Sequence, residues 1–142
     1  MKYTSGYKYQ LKDDDEVQTE IFPPDYISTK FIALRPDGRL LISAGYASDG
    51  PSGPTIDSPS SIRGAFFHDA LYQLFRMELL EIRWKKQADH LAHRLWVEDG
   101  MLKCRAALWH REIKKFAGFA ADPKNRKKIH TTPISKPERW KP

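Results

Sequence analysis

Residues 61–76 read SIRGAFFHDALYQLFR, and Ile62, Ala65, Phe66, Leu71, Leu74 and Phe75 recur at the spacing of a helix with an apolar face. Ser58 is placed to cap this helix, and Pro59 takes its first position, where a missing N–H costs nothing. On such a helix His68 and Tyr72, four residues apart, share a face, and Asp69 points about a quarter-turn away. A second helical stretch, from Trp84 to Asp99, carries Trp84, Ala88, Leu91, Ala92, Leu95 and Trp96 on one side and ends at Gly100. Its register brings Asp89 back toward His68. Ala106, Ala107, Trp109, Ile113 and Phe116 describe a third helix that stops near Gly118.

Before these helices the chain has a different rhythm. Tyr3, Tyr7 and Tyr9, then Val17 to Phe22, Lys30 to Leu34 and Leu40 to Ser43 read as short antiparallel strands. Asp37-Gly38, between two apolar runs, is the strongest hairpin signal. The acidic run Asp13-Asp14-Asp15-Glu16 reads as a solvated turn between strands. The expected fold is α+β: a small N-terminal antiparallel sheet or hairpins, then two to three packed helices and an extended basic C-terminal tail. Residues 1–120 are expected to form one domain, with a β-rich part over 1–44, a Gly/Pro loop over 45–60 and helices over 61–118. Residues 121–142, with four prolines and many charges, read as the tail.

Composition bounds the possibilities. At 142 residues, with 40% hydrophobic and 12% aromatic side chains, the chain can bury a core, which excludes wholesale disorder. A single cysteine, Cys104, excludes an internal disulfide framework; it reads as a small buried or half-buried thiol on a helix. No signal peptide or long apolar run is evident, so synthesis and folding in a reducing host cytoplasm is expected. The net charge of +6 comes from the C-terminal end, where Lys114, Lys115, Lys124, Arg126, Lys127, Lys128, Lys136, Arg139 and Lys141 face only Asp122 and Glu138. Such a segment can meet an anionic lipid surface or nucleic acid, or simply remain solvated.

The residue types around His68 suit hydrolysis. Attack by water on an ester needs a base for the water proton and positive charge near the developing oxyanion. His68 can be that base if a carboxylate on its other ring nitrogen fixes the tautomer, and Asp89 is the natural partner. Tyr72 can donate its hydroxyl to Asp89 and complete the network. Asp69, pointing elsewhere, can join backbone carbonyls of the loop Gly45 to Pro59, GYASDGPSGPTIDSP, around a hard cation. A zinc site would need three or four ligands at coherent spacing. His90 and His93 instead read as polar positions on an exposed helix side, and His110 and His130 show no companions.

At these residues the chain resembles two groups of proteins. The order of a glycine loop (Gly50-Pro51-Ser52-Gly53), an HDxxY helix (His68 to Tyr72) and an Ala-Asp (Ala88-Asp89) resembles calcium-dependent phospholipase A2, especially its disulfide-free form in parvovirus capsids. That resemblance implies catalytic roles for His68, Asp89 and Tyr72 and a calcium ligand in Asp69; carbonyls of Gly50, Ser52 and Gly53 in the loop are expected to complete the calcium site. Pro51 and Ser52 stand where the phospholipase loop is richer in glycine. The segment from Gly45 to Gly100 also resembles a family of uncharacterised tailed-phage and prophage proteins sharing a DGPSGPTID loop, an RGxxxHDALYQL helix and an ADxxL helix. This implies provenance, and an expectation of virion association with other phage proteins as partners. The function expected is calcium-dependent hydrolysis of a lipid or related ester. The alternatives are a non-catalytic phage structural or host-interaction protein that keeps the fold, and a binder of nucleic acid or a phosphorylated ligand.

Overall fold

In the computed structural model, which describes residues 3–4, 9–48 and 59–121 and the side chains of 10–47 and 60–114, the Asp37-Gly38 turn closes the expected hairpin. Gly38 adopts φ 91°, and its N–H donates to the carbonyl of Arg35 at 2.9 Å while Arg35 N–H donates to that of Arg39 at 2.9 Å. A Cβ at Gly38 would stand 2.7 Å from the Thr19 carbonyl oxygen, so both conformation and space require glycine. The hairpin joins β5 (Ile32–Leu34) to β6 (Arg39–Ile42), with Leu34 opposite Leu40. β3 (Asp15–Gln18) pairs antiparallel with β6, and β4 (Ile27–Ser28) with β5, giving a four-stranded sheet in the order β3-β6-β5-β4. β1 (Tyr3–Thr4), β2 (Tyr9–Leu11) and β7 (Ala47–Ser48) form a second, three-stranded ladder. The inner strands read as continuous apolar runs because both faces are covered: Ile32, Ala33, Leu34, Leu40, Leu41 and Ile42 are all buried.

Two local expectations are corrected here. The acidic run is not only a solvated turn, because Asp15 and Glu16 pair with Ile42 and Leu41, and Asp14 Oδ1 accepts the Ala44 N–H at 2.8 Å. β3 is an edge strand of its sheet, where carboxylates are well tolerated. The strand expected to continue to Phe22 stops at Gln18. Thr19 turns the chain, its hydroxyl donating to the Gly38 carbonyl at 2.7 Å and accepting the Ile21 N–H at 3.1 Å.

Among the described residues three α-helices follow, so the fold is α+β. α1 (Pro59–Arg76) starts with proline in its first turn as expected; Ser58 and the loop residues 49–58 lie outside the described residues. A short 3-10 turn (Ile82–Trp84) leads into α2 (Lys85–Glu98), and α3 is Lys103–Ala121. α3 thus continues through Gly118, which was expected to end it, since one glycine inside a helix costs only about 1 kcal/mol. The expected tail, from residue 122, lies outside the described residues. The strands fall in one compact unit within Met1–Asp49 and the helices in another within Gly50–Lys127.

α1 and α2 both end in the same six-residue hydrogen-bond closure. After α2, Gly100 (φ 99°) takes the left-handed position, with Met101 N–H donating to the Trp96 carbonyl and Gly100 N–H to that of Val97. After α1, Glu78 (φ 59°) fills the equivalent place, with Leu79 N–H donating to Leu74 and Glu78 N–H to Phe75. The helices pack antiparallel, since Ser61 and Arg63 of α1 meet Trp96, Glu98 and Asp99 at the far end of α2. Gly64 allows this approach: a Cβ there would lie 2.6 Å from the Trp96 indole and 3.1 Å from the Ala92 carbonyl oxygen. Trp96 donates its indole N–H to the Ser61 carbonyl at 3.1 Å and stacks edge-on against Trp109 of α3 at 5.5 Å. Met101 and Ala106 fill the same cluster.

Candidate functional site

The contact between α1 and α2 sets the geometry of the site. Phe66, Phe67, Ala70 and Leu71 are fully buried on α1, which fixes the helix rotation and leaves His68 and Tyr72 facing α2. Asp89 lies in the first half of α2 beside the buried Ala88 and Ala92 and is itself only 1% exposed. His68 Nε2 sits 2.7 Å from Asp89 Oδ1, and the Tyr72 hydroxyl donates to the same oxygen at 2.5 Å. The His68 and Tyr72 rings stack at 4.1 Å, and Phe75 meets Tyr72 edge-on at 5.5 Å. The three residues expected to cooperate are therefore joined at one carboxylate oxygen.

This arrangement fixes proton positions. Burial, reinforced by the hydrogen bond to Asp89 and by its negative charge, pushes the Tyr72 phenol far above its ordinary range. Tyr72 is accordingly a donor at any physiological pH. With Asp89 ionised and the His68 ring neutral, Oδ1 accepting from both neighbours puts the His68 proton on Nε2 and the lone pair on Nδ1. The His68 side chain keeps 12% of its surface exposed, whereas Asp89 is sealed. The site thus consists of a partly exposed imidazole, a buried carboxylate and a phenol that donates to that carboxylate.

The remaining expectations divide. Asp69 is half-buried on α1, next to His68, while Gly50, Ser52 and Gly53, expected with it around calcium, lie outside the described residues. Among the described residues no group of three or more His, Cys, Asp or Glu side chains stands ready to hold a metal ion. Cys104 is exposed, not buried or half-buried, because it lies off the face through which Ala106 and Trp109 pack. His90 is exposed as expected, but His93 is half-buried, and both lie beside His110 of α3. That three-histidine cluster was not apparent from sequence. Its only signal was the helical spacing of His90 and His93; the position of His110 depends on how α3 crosses α2. Among the described residues no helix is long and apolar enough to cross a membrane. Comparison with known protein families, curated proteins and solved structures finds no match.

Proposed function

We propose that this chain is a phospholipase A2-like hydrolase of phage type, cleaving a lipid or related ester with a water activated by His68. The observation that carries the reading is the convergence of His68 Nε2 and the Tyr72 hydroxyl on Asp89 Oδ1. In the reaction, water gives a proton to His68 Nδ1 as its oxygen attacks the ester carbonyl. Asp89 accepts the Nε2–H throughout and stabilises the imidazolium. His68 then returns the proton to the leaving alkoxide, so the base is restored. Tyr72 keeps the carboxylate oriented and neutralises none of its charge.

Stability does not account for a carboxylate in this position. Burying an ion costs several kcal/mol, and two charge-assisted hydrogen bonds contribute about 1.5–3 kcal/mol each, so the network roughly breaks even. An apolar residue of similar size would serve packing as well. An orienting role for a catalytic imidazole gives the buried charge a purpose.

Calcium belongs to the proposal through the resemblance to phospholipase A2. Asp69 with carbonyls of Gly50, Ser52 and Gly53 is an all-oxygen donor set of the kind calcium takes, and the bound ion would supply positive charge opposite the carbonyl oxygen. The basic residues Lys124, Arg126, Lys127 and Lys128 suit an anionic lipid surface.

The test is fatty-acid release from mixed phospholipid micelles, with calcium or with a calcium chelator, by wild type and by His68→Gln. Calcium-dependent release that falls about 10²–10⁴-fold in the variant supports the reading. Release that survives in His68→Gln removes His68 from the chemistry. A wild type that binds calcium yet releases nothing points to a phage structural protein that keeps the fold without the activity.

A further inference from the structure

A second cluster of chemically active side chains lies on the seam between α2 and α3. The ring centroids of His93 and His110 are 5.2 Å apart, and His90 lies 6.0 Å from His93 and 6.1 Å from His110. We infer that His90, His93 and His110 form a binding site for a zinc-like transition-metal ion that clamps α2 to α3.

Elementary ligand geometry sets the standard. An imidazole nitrogen binds zinc at about 2.0–2.1 Å, which puts the ring centroid about 3.2 Å from the ion and two tetrahedrally disposed centroids about 5.2 Å apart. His93 and His110 already have this separation. His90 misses it by roughly 1 Å on each side by the same standard. The three rings as they stand do not close on one point, and closure needs the His90 ring to swing inward. His90 is exposed, so the swing displaces no core side chain.

A further feature suits a metal. His110 Nε2 is buried with no hydrogen-bond partner, an orphan that a metal ion would satisfy. Three imidazoles take three of the four positions of a tetrahedral zinc ion. The nitrogen donor set selects zinc, nickel or copper over calcium, which keeps this site distinct from the one proposed around Asp69.

The experiment uses the untagged full chain carrying Cys104→Ser, so that the exposed thiol contributes nothing. Zinc chloride is titrated by calorimetry and thermal melting, with calcium chloride as the control, and His90→Gln and His110→Gln are compared. The site predicts one zinc per chain, a raised melting temperature with zinc, and at least a 10–100-fold loss of affinity in both variants, the loss seen even when a mere supporting partner of a ligand is removed. His90→Gln changes an exposed residue and leaves the fold intact, so its result stands even if His110→Gln fails to fold. No zinc-dependent heat or melting shift, or unchanged affinity in His90→Gln, overturns the proposal.

Discussion

Replacing Tyr72 by Phe removes one oxygen and leaves the packing almost untouched. The ring remains against His68 at 4.1 Å and against Phe75 at 5.5 Å, so little apolar contact changes. What is lost is the hydroxyl donated to Asp89 Oδ1 at 2.5 Å. Tyr72 is 3% exposed and Asp89 1%, so bulk water has no access to replace the donor. A hydrogen bond to a charged group is worth about 1.5–3 kcal/mol, and Tyr72→Phe should lose stability in that range. At about 2–4 °C per kcal/mol for a chain near this size, the melting temperature should fall by roughly 3–12 °C. Urea unfolding measures it, with an unchanged m-value showing that only stability has moved. A double-mutant cycle with Asp89→Asn should show a coupling of at least about 1 kcal/mol, as partners in one network do. A loss below about 0.5 kcal/mol, or strict additivity in the cycle, would refute the claim that the phenol holds a charged carboxylate.

Other predictions probe the frame around the site. Gly64→Ala should cost about 1–3 kcal/mol in urea unfolding, because its new Cβ would press on the Trp96 indole at 2.6 Å. Glu78→Gly should raise stability by about 1 kcal/mol, since the left-handed position after α1 strains any residue with a Cβ; an unchanged urea midpoint would count against the strain. Stability should also fall with acid, measured in chelator to keep metals away. His93 and His110 have folded-state pKa values below the ordinary 6.5, so the unfolded chain binds more protons as the pH drops. Their penalty is absent above pH 6.5, grows as the pH falls through 6.5, and is complete below the lowered folded values. His110→Gln should flatten that part of the urea-midpoint profile relative to wild type.

Much of the site was legible because it depends on local geometry. Four residues separate His68 from Tyr72, and helical periodicity puts them on one face whatever surrounds them. Asp89 could be placed because one short connection joins two helices of clear register. The hairpin followed from Asp37-Gly38 in the same way. What could not be read depended on packing between distant segments. Asp15 and Glu16 join a strand because β6 offers them a partner, not because their own propensity favours it. Glu78 carries the left-handed turn after α1 although no glycine marks the place, since Leu74 and Phe75 supply carbonyls for the closing bonds. His110 reaches His90 and His93 only because Trp96, Met101 and Trp109 set how α3 crosses α2. The exposure of Cys104 is a different case. The signal was present in its offset from Ala106 and Trp109, and the general tendency of cysteine to be buried outweighed it.

The central claim is that Asp89 fixes His68 as an Nε2–H imidazole with its lone pair on Nδ1. Nitrogen-15 NMR on histidine-labelled protein reads this tautomer directly, at a pH where the ring is neutral, with His68→Gln identifying the resonance. The predicted result is a protonated Nε2 and a bare Nδ1, shifting toward a tautomer mixture in Asp89→Asn as the charged acceptor is lost. A His68 ring carrying its proton on Nδ1 in the wild type would contradict the proposed base and the mechanism built on it.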